Sequence, residues 1–332
     1  MHYTNLKPPL FLKGIFLTLV FLGSITPTFS CPPSESSLTP SNTQNQWKLN
    51  NLSTQCQPHL YTEEYITSTK QHLITITLSP DGLQNNCFRL DTKAFQDLKS
   101  LSHVAKKYKP LASINGGFFD PSNQQTVSHI TQSNGTYLSP EKNPHLTENE
   151  TLSPYLPAIF NRSELRQYTC STSPNIRHTI TTHNAPIPQN CQLRFSLGGG
   201  PQITPHSTAE QEAFYTKDPK TGKVLRDPVR IHGKLARSAV GITPDGKVIL
   251  ALGRKTPKNP GWSLNDMGKA LTQLGATQVM ALDGGSSSGI SIGSQVIYGT
   301  HQSNQKPIIR KLKSFLWVIP STPQTPEAPT PK

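Results

Sequence analysis

The sequence predicts an α+β fold, in which a mixed, largely antiparallel sheet is flanked by a few helices. Two observations predict this class. Short stretches in which apolar and polar residues alternate, as in half-buried strands, recur along the chain and are separated by turn residues. Apolar residues at helical spacing predict two clear helices, over 93–107 and 264–274.

The first predicted elements are two strands with a helix between them. Residues 73–78 alternate as in a strand and end at a Pro-Asp-Gly turn. Thr92 is the predicted N-cap of the helix over 93–107, which Pro110 ends. A short strand over 111–115 then leads into a glycine pair.

The middle of the chain carries weak signals, and the last third carries clear ones. Residues 121–158 are polar and contain prolines, so we expect a loop that covers or builds a site, or an insertion. Ser263 is the predicted N-cap of the second helix, and Gly275 stops it. The remaining signals predict a hairpin of 238–243 with 247–252, and strands over 277–282, 291–298 and 314–319.

The N-terminus has the pattern of an export signal over 1–30. Two lysines precede an apolar stretch that is shorter than the roughly 20 residues of a spanning helix, and Thr28-Phe29-Ser30 resembles a small-residue cleavage site. An uncleaved membrane anchor is the alternative. Cys31 stands where a bacterial lipoprotein carries its lipid, so the sequence predicts a secreted, periplasmic or envelope-associated protein. Any membrane contact is then expected through the signal or a lipid on Cys31.

Composition divides the rest of the chain. Residues 31–46 are almost free of apolar side chains and predict a flexible tether, while 320–332 contain five prolines and predict a disordered tail. The globular part is then 47–319. Its first part, 47–107, precedes a domain over 108–319.

Cysteine usage agrees with export into an oxidising compartment. The chain has five cysteines, and setting Cys31 aside leaves an even number that can form two disulfides. Four cysteines allow three pairings. We favour Cys56 with Cys87 and Cys170 with Cys191, because each pair closes a short loop; buried free thiols are the alternative.

Charge limits the class of partner. The net charge is +13, but no run of Lys and Arg is interleaved with aromatic residues, so a nucleic-acid partner is not expected. A spread excess of positive charge fits an anionic surface or an anionic substrate, and it is also common on ordinary solvated surfaces.

Glycine clusters beside polar residues at predicted strand ends mark the segments that could carry chemistry. Glycine lets the backbone approach a ligand closely, although a single glycine pair is more often just a tight turn. The four segments are Asn115-Gly116-Gly117-Phe118-Phe119-Asp120, Leu197-Gly198-Gly199-Gly200-Pro201, Arg237-Ser238-Ala239-Val240-Gly241 and Leu282-Asp283-Gly284-Gly285-Ser286-Ser287-Ser288.

The serines after Asp283 do not predict a serine hydrolase. Residues 285–289 match Gly-x-Ser-x-Gly formally, but that elbow needs a helix next, and the following residues alternate as in a strand. No histidine has the context of a catalytic base, and no motif of a zinc site is present. We therefore expect no metal and no cofactor, with a divalent cation left open.

The polar groups that remain in these segments are the Asp283 carboxylate, the Asn115 amide and the Arg237 guanidinium, with serine hydroxyls beside Asp283. Such groups can bind a sugar, and Arg237 has the planar fork that matches two phosphate oxygens. An ion pair for Arg237 and a turn-stabilising role for Asp283 are the structural alternatives.

In their order along the chain, these segments resemble the phosphodiester glycosidase family over about residues 108–319. The matching blocks are the Asn115 segment, the turn at 199–201, Arg237-Ser238-Ala239-Val240-Gly241, the helix end at Leu274-Gly275-Ala276 and, most specifically, 282–287. The family includes the uncovering enzyme, which removes N-acetylglucosamine from a phosphodiester link to mannose. The resemblance implies hydrolysis between a sugar's anomeric carbon and a phosphate, in an exported or lumenal location.

The resemblance also implies site residues. It places Asn115, Arg237 and Asp283 in the active site, and Asp120 lies close enough in sequence to be a second carboxylate. A phosphate leaving group needs little help from an acid, so one carboxylate with an arginine could suffice. The lining residues implied are Gly116, Gly117, Gly200, Ser286 and Ser287.

The sequence thus predicts an exported glycosidase that hydrolyses a sugar-1-phosphodiester in a glycan or cell-envelope polymer. The alternative is a carbohydrate-binding envelope protein of the same fold without catalysis. Two departures from the family pattern keep it open. Residues 250–253 lack the acidic residue that members commonly have before the glycine, and Ser286 replaces the third glycine of the last block.

Overall fold

The structure, a computed structural model, describes residues 37–41, 52–171 and 173–321, and these belong to one compact unit. The predicted export signal, Cys31 and most of the predicted tether and tail lie outside the described residues. Within the tether, residues 38–40 form a short strand that pairs with the strand over 60–67. That part of the tether is therefore attached to the fold.

Strands make up most of the described structure. In chain order they are β1 (Leu38–Pro40), β2 (Leu60–Thr67), β3 (His72–Leu78), β4 (Phe88–Ser100), β5 (Ala112–Asn115), β6 (Ile130–Thr131), β7 (Tyr137–Leu138), β8 (Ser163–Cys170), β9 (Ser173–Thr182), β10 (Cys191–Gly198), β11 (Gln202–Thr204), β12 (Thr216–Lys217), β13 (Val224–Arg226), β14 (Arg237–Ile242), β15 (Val248–Thr256), β16 (Asn259–Pro260), β17 (Gln278–Ala281), β18 (Gly289–Ile292), β19 (Gln295–Tyr298) and β20 (Lys311–Pro320).

Helices are few and short. They are α1 (Pro80–Gln84), α2 (Leu101–Tyr108), α3 (Pro144–Thr147), α4 (Leu156–Phe160) and α5 (Leu264–Gln273), with 3-10 turns at Gln57–His59, Pro140–Lys142, Ser153–Tyr155 and Gly285–Ser287. No described helix has the length and apolar character needed to cross a membrane.

The strands form three large sheets and one two-stranded ribbon, β12–β13. Sheet I has the order β1-β2-β3-β15-β14-β17-β11, with β16 beside β15. Sheet II is β7-β6-β10-β8-β9, and sheet III is β19-β18-β5-β20-β4. Every strand ladder in the described ranges is antiparallel, so the predicted antiparallel character and the small number of helices are confirmed. The prediction of one mixed sheet is wrong, because several antiparallel sheets are present and strands predominate, which the α+β class describes only roughly.

The main core lies among the three sheets, and alternation along the strands explains how each sheet covers it. In β15, Val248, Leu250 and Leu252 face this core, while Ile249 and Ala251 pack with α5 on the opposite face of sheet I. Because successive side chains of a strand point to opposite faces, a strand covered on both sides reads as a continuous apolar run.

The predicted helix over 93–107 is wrong in its first half. Residues up to Ser100 belong to β4, which pairs with β20, and α2 begins only at Leu101. Ser100 is the N-cap, and its hydroxyl accepts the backbone N–H of His103. Pairing over most of a 13-residue strand outweighs the helical spacing of the side chains.

Most of the other predicted elements are present, but the single strand predicted over 291–298 is two paired strands, β18 and β19, with a turn at Gly293. β14 and β15 form the hairpin, and α5 begins with a capping box between Ser263 and Asp266. Gly275 follows it with φ of +92°. Both favoured disulfides are also confirmed, Cys56–Cys87 and Cys170–Cys191, and the second joins partners in adjacent strands.

Candidate active site

The turn after β17 connects two sheets, which explains its rigid placement. The Asp283 backbone N–H donates to the Gly116 carbonyl at 3.2 Å, and the Leu282 N–H donates to Ser238 at 2.8 Å. The Gly285 N–H donates to the Ala236 carbonyl at 2.8 Å. The chain then enters β18 of sheet III, so the turn is held from sheets I and III at once.

The buried side chain of Asn115 links the same segments by hydrogen bonds. Its side chain is 1% exposed. The amide nitrogen donates to the Asp283 carbonyl at 2.7 Å, and the amide oxygen accepts from the Ser238 hydroxyl at 2.6 Å and the Gly289 N–H at 3.2 Å. This amide is fully used in fixing the Asp283 turn, and it is not among the residues that line the adjacent cavity.

A cavity of about 380 Å³ opens beside the turn. Its walls come from the loop after β5, the turn after β10, the loop before β14 and the turn after β17. Asp283 is the one carboxylate among its described lining residues. The lining residues are Phe118, Phe119, Val127, Arg162, Gly200, Phe214, Arg226, Pro228, Val229, Leu235, Arg237, Leu264, Ala281, Leu282, Asp283, Gly284, Gly285 and Ser286.

The Asp283 carboxyl has a raised pKa. Burial raises this pKa from 3.8 to about 6, against the hydrogen bond from Ser287 and the positive charge of Arg310, which lower it. Part of the residue remains accessible where it faces the cavity. A carboxyl with a pKa near neutrality can exchange protons with a substrate or water.

Arg237 is 3% exposed and its guanidinium is largely occupied. Its Nε donates to Trp262, and its two terminal nitrogens donate to Val229, Arg230 and Gly233, all through backbone carbonyls at 2.6 to 3.1 Å. Burial lowers the pKa of this side chain to about 10. Arg237 therefore holds the loop before β14 in place against the cavity.

Three further arginines surround the cavity. Arg162 stacks on the Phe214 ring, with the guanidinium carbon 3.7 Å from the ring centre, and Arg226 lies on the ribbon strand β13. Arg310 donates to the Ser286 hydroxyl at 2.9 Å and packs over Phe119 at 5.5 Å. The surroundings of Asp283 thus carry an excess of positive charge.

The family model described as phosphodiester glycosidase matches residues 108–319. The chain belongs to the phosphodiester glycosidase family. That range contains the whole lining of the cavity.

Solved structures align with this phosphodiester glycosidase family member. One is the catalytic domain of zebrafish N-acetylglucosamine-1-phosphodiester alpha-N-acetylglucosaminidase, auto-inhibited by its pro-peptide, with a TM-score of 0.55 at 12% identity, covering 86% of this chain and 88% of the other. A hypothetical protein from Synechocystis aligns with a TM-score of 0.46 at 16% identity, covering 87% and 64%. The search of curated proteins found no match.

The structure brings some of the predicted site residues together in this phosphodiester glycosidase domain. Asp283, Arg237, Gly200 and Ser286 line the cavity. Ser287 is buried and bonds to the Asp283 carboxyl. A strand follows the 3-10 turn at Gly285–Ser287, which does not fit the helix that a serine elbow requires.

The other predicted residues lie outside the lining. Asp120 accepts from Ser122 and from His145 Nδ1 at 2.7 Å, in a shallow depression of the surface. Gly116 and Gly117 are packing positions, because a Cβ would meet the Ser314 hydroxyl at 2.3 Å and the Gly198 carbonyl at 2.1 Å, respectively.

The sequence signals did not find Arg162, Arg226 and Arg310. Each of the three lies at the end of a strand or directly before one, and no periodic pattern in the sequence marks such a position. In the described ranges, no cluster of three or more His, Cys, Asp or Glu residues is placed to hold a metal ion.

Proposed function

We propose that the protein is an exported glycosidase that hydrolyses a sugar-1-phosphodiester in a glycan or cell-envelope polymer, at the cavity beside Asp283. The observation that carries the proposal is the combination of one carboxyl of raised pKa with several arginines in a single cavity. A carboxylate can activate the water that attacks the sugar carbon, and guanidinium groups can bind the phosphate. Each half of the substrate therefore has a matching group in the cavity.

The reaction that fits this arrangement breaks the bond between the anomeric carbon and the phosphate oxygen. Water forms the new bond to the anomeric carbon, its proton passes to ionised Asp283, and the phosphate leaves with the electron pair as a monoester. Because that leaving group is a stable anion, a second carboxyl acting as acid is not required. Positive groups near the departing phosphate stabilise the charge that develops.

Two aspects of location extend the proposal. The two disulfides are typical of an oxidising compartment, which supports a periplasmic or extracellular protein. Cleavage of the export signal after Ser30, with or without a lipid on Cys31, remains a prediction from the sequence.

A direct test is the release of free sugar from a panel of sugar-1-phosphodiesters by the purified protein. Asp283→Asn should lower kcat at least about a hundredfold, because general base catalysis contributes roughly 10²–10⁴-fold. Asp245→Asn is the matched control, since Asp245 lies in the exposed turn of the β14–β15 hairpin and pairs with Lys247. Equal turnover by wild type and Asp283→Asn would refute the assignment of Asp283.

The second candidate is a carbohydrate-binding protein that has lost catalysis. The observation in its favour is that Asp283 is the one carboxylate among the described lining residues, whereas most glycosidases use two. This candidate predicts saturable binding of the same phosphodiesters, by calorimetry, with no release of sugar by the wild-type protein.

A further inference from the structure

Two arginines that line the cavity donate to consecutive backbone carbonyl groups. Arg162 Nε donates to the Glu212 carbonyl at 3.1 Å, and Arg226 Nε donates to the Ala213 carbonyl at 2.7 Å. Ala213 has a left-handed φ of +53°, which is uncommon for a residue other than glycine. Two guanidinium groups from separate parts of the chain are therefore near one another in the same cavity.

The terminal nitrogens of both arginines make no hydrogen bond to the described residues, and the Arg226 guanidinium packs over the Tyr155 ring at 5.2 Å. Arg162 is 7% exposed, yet within the described part of the chain its terminal nitrogens have no hydrogen-bond partner, and those of Arg226 have none either. Both residues line the cavity. These terminal nitrogens reach the surface of the cavity, so they are free to donate to a ligand there.

The carboxylate of Glu212, which acts on the charge of Arg162, is already hydrogen-bonded. Glu212 accepts from Ser163, Gln202 and Thr208, and no described ion pair includes Arg162 or Arg226. Burial lowers the pKa of Arg162 to about 9, the negative charge of Glu212 raises it, and the positive charge of Arg226 lowers it by a smaller amount. An anion bound by both guanidinium groups would offset their mutual repulsion and would accept hydrogen bonds from their unused N–H donors.

We propose that Arg162 and Arg226 form an anion clamp that holds the phosphate of the substrate and binds a phosphomonoester more tightly than a phosphodiester. The preference for the monoester rests on the proposed function. A diester carries one negative charge, whereas the monoester released by cleavage at the sugar carbon carries up to two near pH 7.5. Two guanidinium groups match the second state better, so the clamp would favour departure of the phosphate and would make the product an inhibitor.

Binding of small phosphates to the full chain tests the clamp without requiring turnover. The probes are methyl phosphate and dimethyl phosphate, titrated by calorimetry at pH 7.5. We expect methyl phosphate to bind wild type at least about tenfold more tightly than dimethyl phosphate, since its second negative charge adds to the attraction by two guanidinium groups. Arg226→Gln should weaken methyl phosphate binding about tenfold or more, and Arg162→Lys should weaken it because the planar fork is lost while the charge is kept.

The control is Arg194→Gln, which removes one positive charge from the exposed face of β10 and should leave binding unchanged. Near-ultraviolet circular dichroism establishes whether each variant is folded. If Arg162→Lys does not fold, Arg226→Gln alone tests the anion clamp. Unchanged methyl phosphate affinity in a folded Arg226→Gln variant overturns the clamp, as does a wild-type protein that binds neither probe. If the variants weaken phosphate binding as expected and the wild type releases free sugar, both proposals are supported. If phosphate binding behaves as expected but no sugar is released, only the proposed enzymatic function is refuted.

Discussion

The Asp283 carboxyl is costly to ionise in the folded protein. Its pKa of about 6 lies above the ordinary value of 3.8, so the folded state binds more protons than the unfolded state between these values. The stability contributed by this group is therefore highest at low pH and falls as the pH rises through about 6. Enzymatic turnover should change in the opposite direction, since the base must be ionised.

Asp283→Asn should make the protein more stable at pH 7.5 by about 1–2 kcal/mol, because a desolvated charge is removed and water in the cavity screens part of its cost. At pH 4 the difference should be close to zero. Urea unfolding at the two pH values measures both. A variant that is markedly less stable than wild type at pH 7.5 would assign Asp283 to holding the turn instead.

Asn115 is central because it links four pieces of backbone or side chain, and the sequence alone suggested a catalytic role for it. Asn115→Ala should lose about 3 kcal/mol of unfolding free energy, because the Ser238 hydroxyl and the Gly289 N–H lose a buried acceptor. The control, Asn134→Ala, removes an exposed side chain that caps a local turn. A stable Asn115→Ala protein without activity would instead make Asn115 a direct contact of the substrate.

At the scale of secondary structure, local signals were sufficient where the partner was also local. The β14–β15 hairpin and the capped helix α5 were both predictable, because a turn or a cap determines them. β4 was not predictable, since its strand state depends on β20, more than 200 residues further along the chain. Such distant pairing leaves no trace in the spacing of Phe95 and Leu98.

The turn after β10 tests how closely these elements pack behind the cavity. Gly200 has φ of +106°, and a Cβ there would meet the Glu212 carboxylate at 2.3 Å and the Phe214 ring at 2.8 Å. Gly200→Ala should cost at least about 2 kcal/mol more than Gly135→Ala, which shares a positive φ of +84° but has open space around it. Equal losses in thermal unfolding would mean that the backbone around Glu212 yields easily.

On the scale of the whole molecule, the candidate site exists because three sheets share one core and their strand ends meet at one cavity. The sequence identified the Asp283 turn, since glycines and a carboxylate after a buried strand are visible locally. It did not identify Arg162 and Arg226, because their loops converge only through long-range packing. The fold class and the family were therefore accessible before the structure, and the positive wall of the cavity was not.

The two disulfides close short loops within this architecture. They close sequence separations of 31 and 21 residues, for which loop entropy predicts a stabilisation of about 3–4 kcal/mol each. Reduction under native conditions should lower the thermal midpoint, and Cys170→Ser with Cys191→Ser should reproduce one part of the loss. An unchanged midpoint after full reduction, verified by thiol counting, would contradict this contribution.

The position of bond cleavage distinguishes a phosphodiester glycosidase from a phosphodiesterase that attacks phosphorus. Hydrolysis of a sugar-1-phosphodiester in water enriched in oxygen-18 reports it directly, because the isotope enters the group that water attacks. Phosphorus NMR of the released phosphomonoester should show no isotope shift, with the label carried by the sugar hydroxyl. A shifted phosphorus signal would place the attack on phosphorus and contradict the role assigned to Asp283 and its cavity.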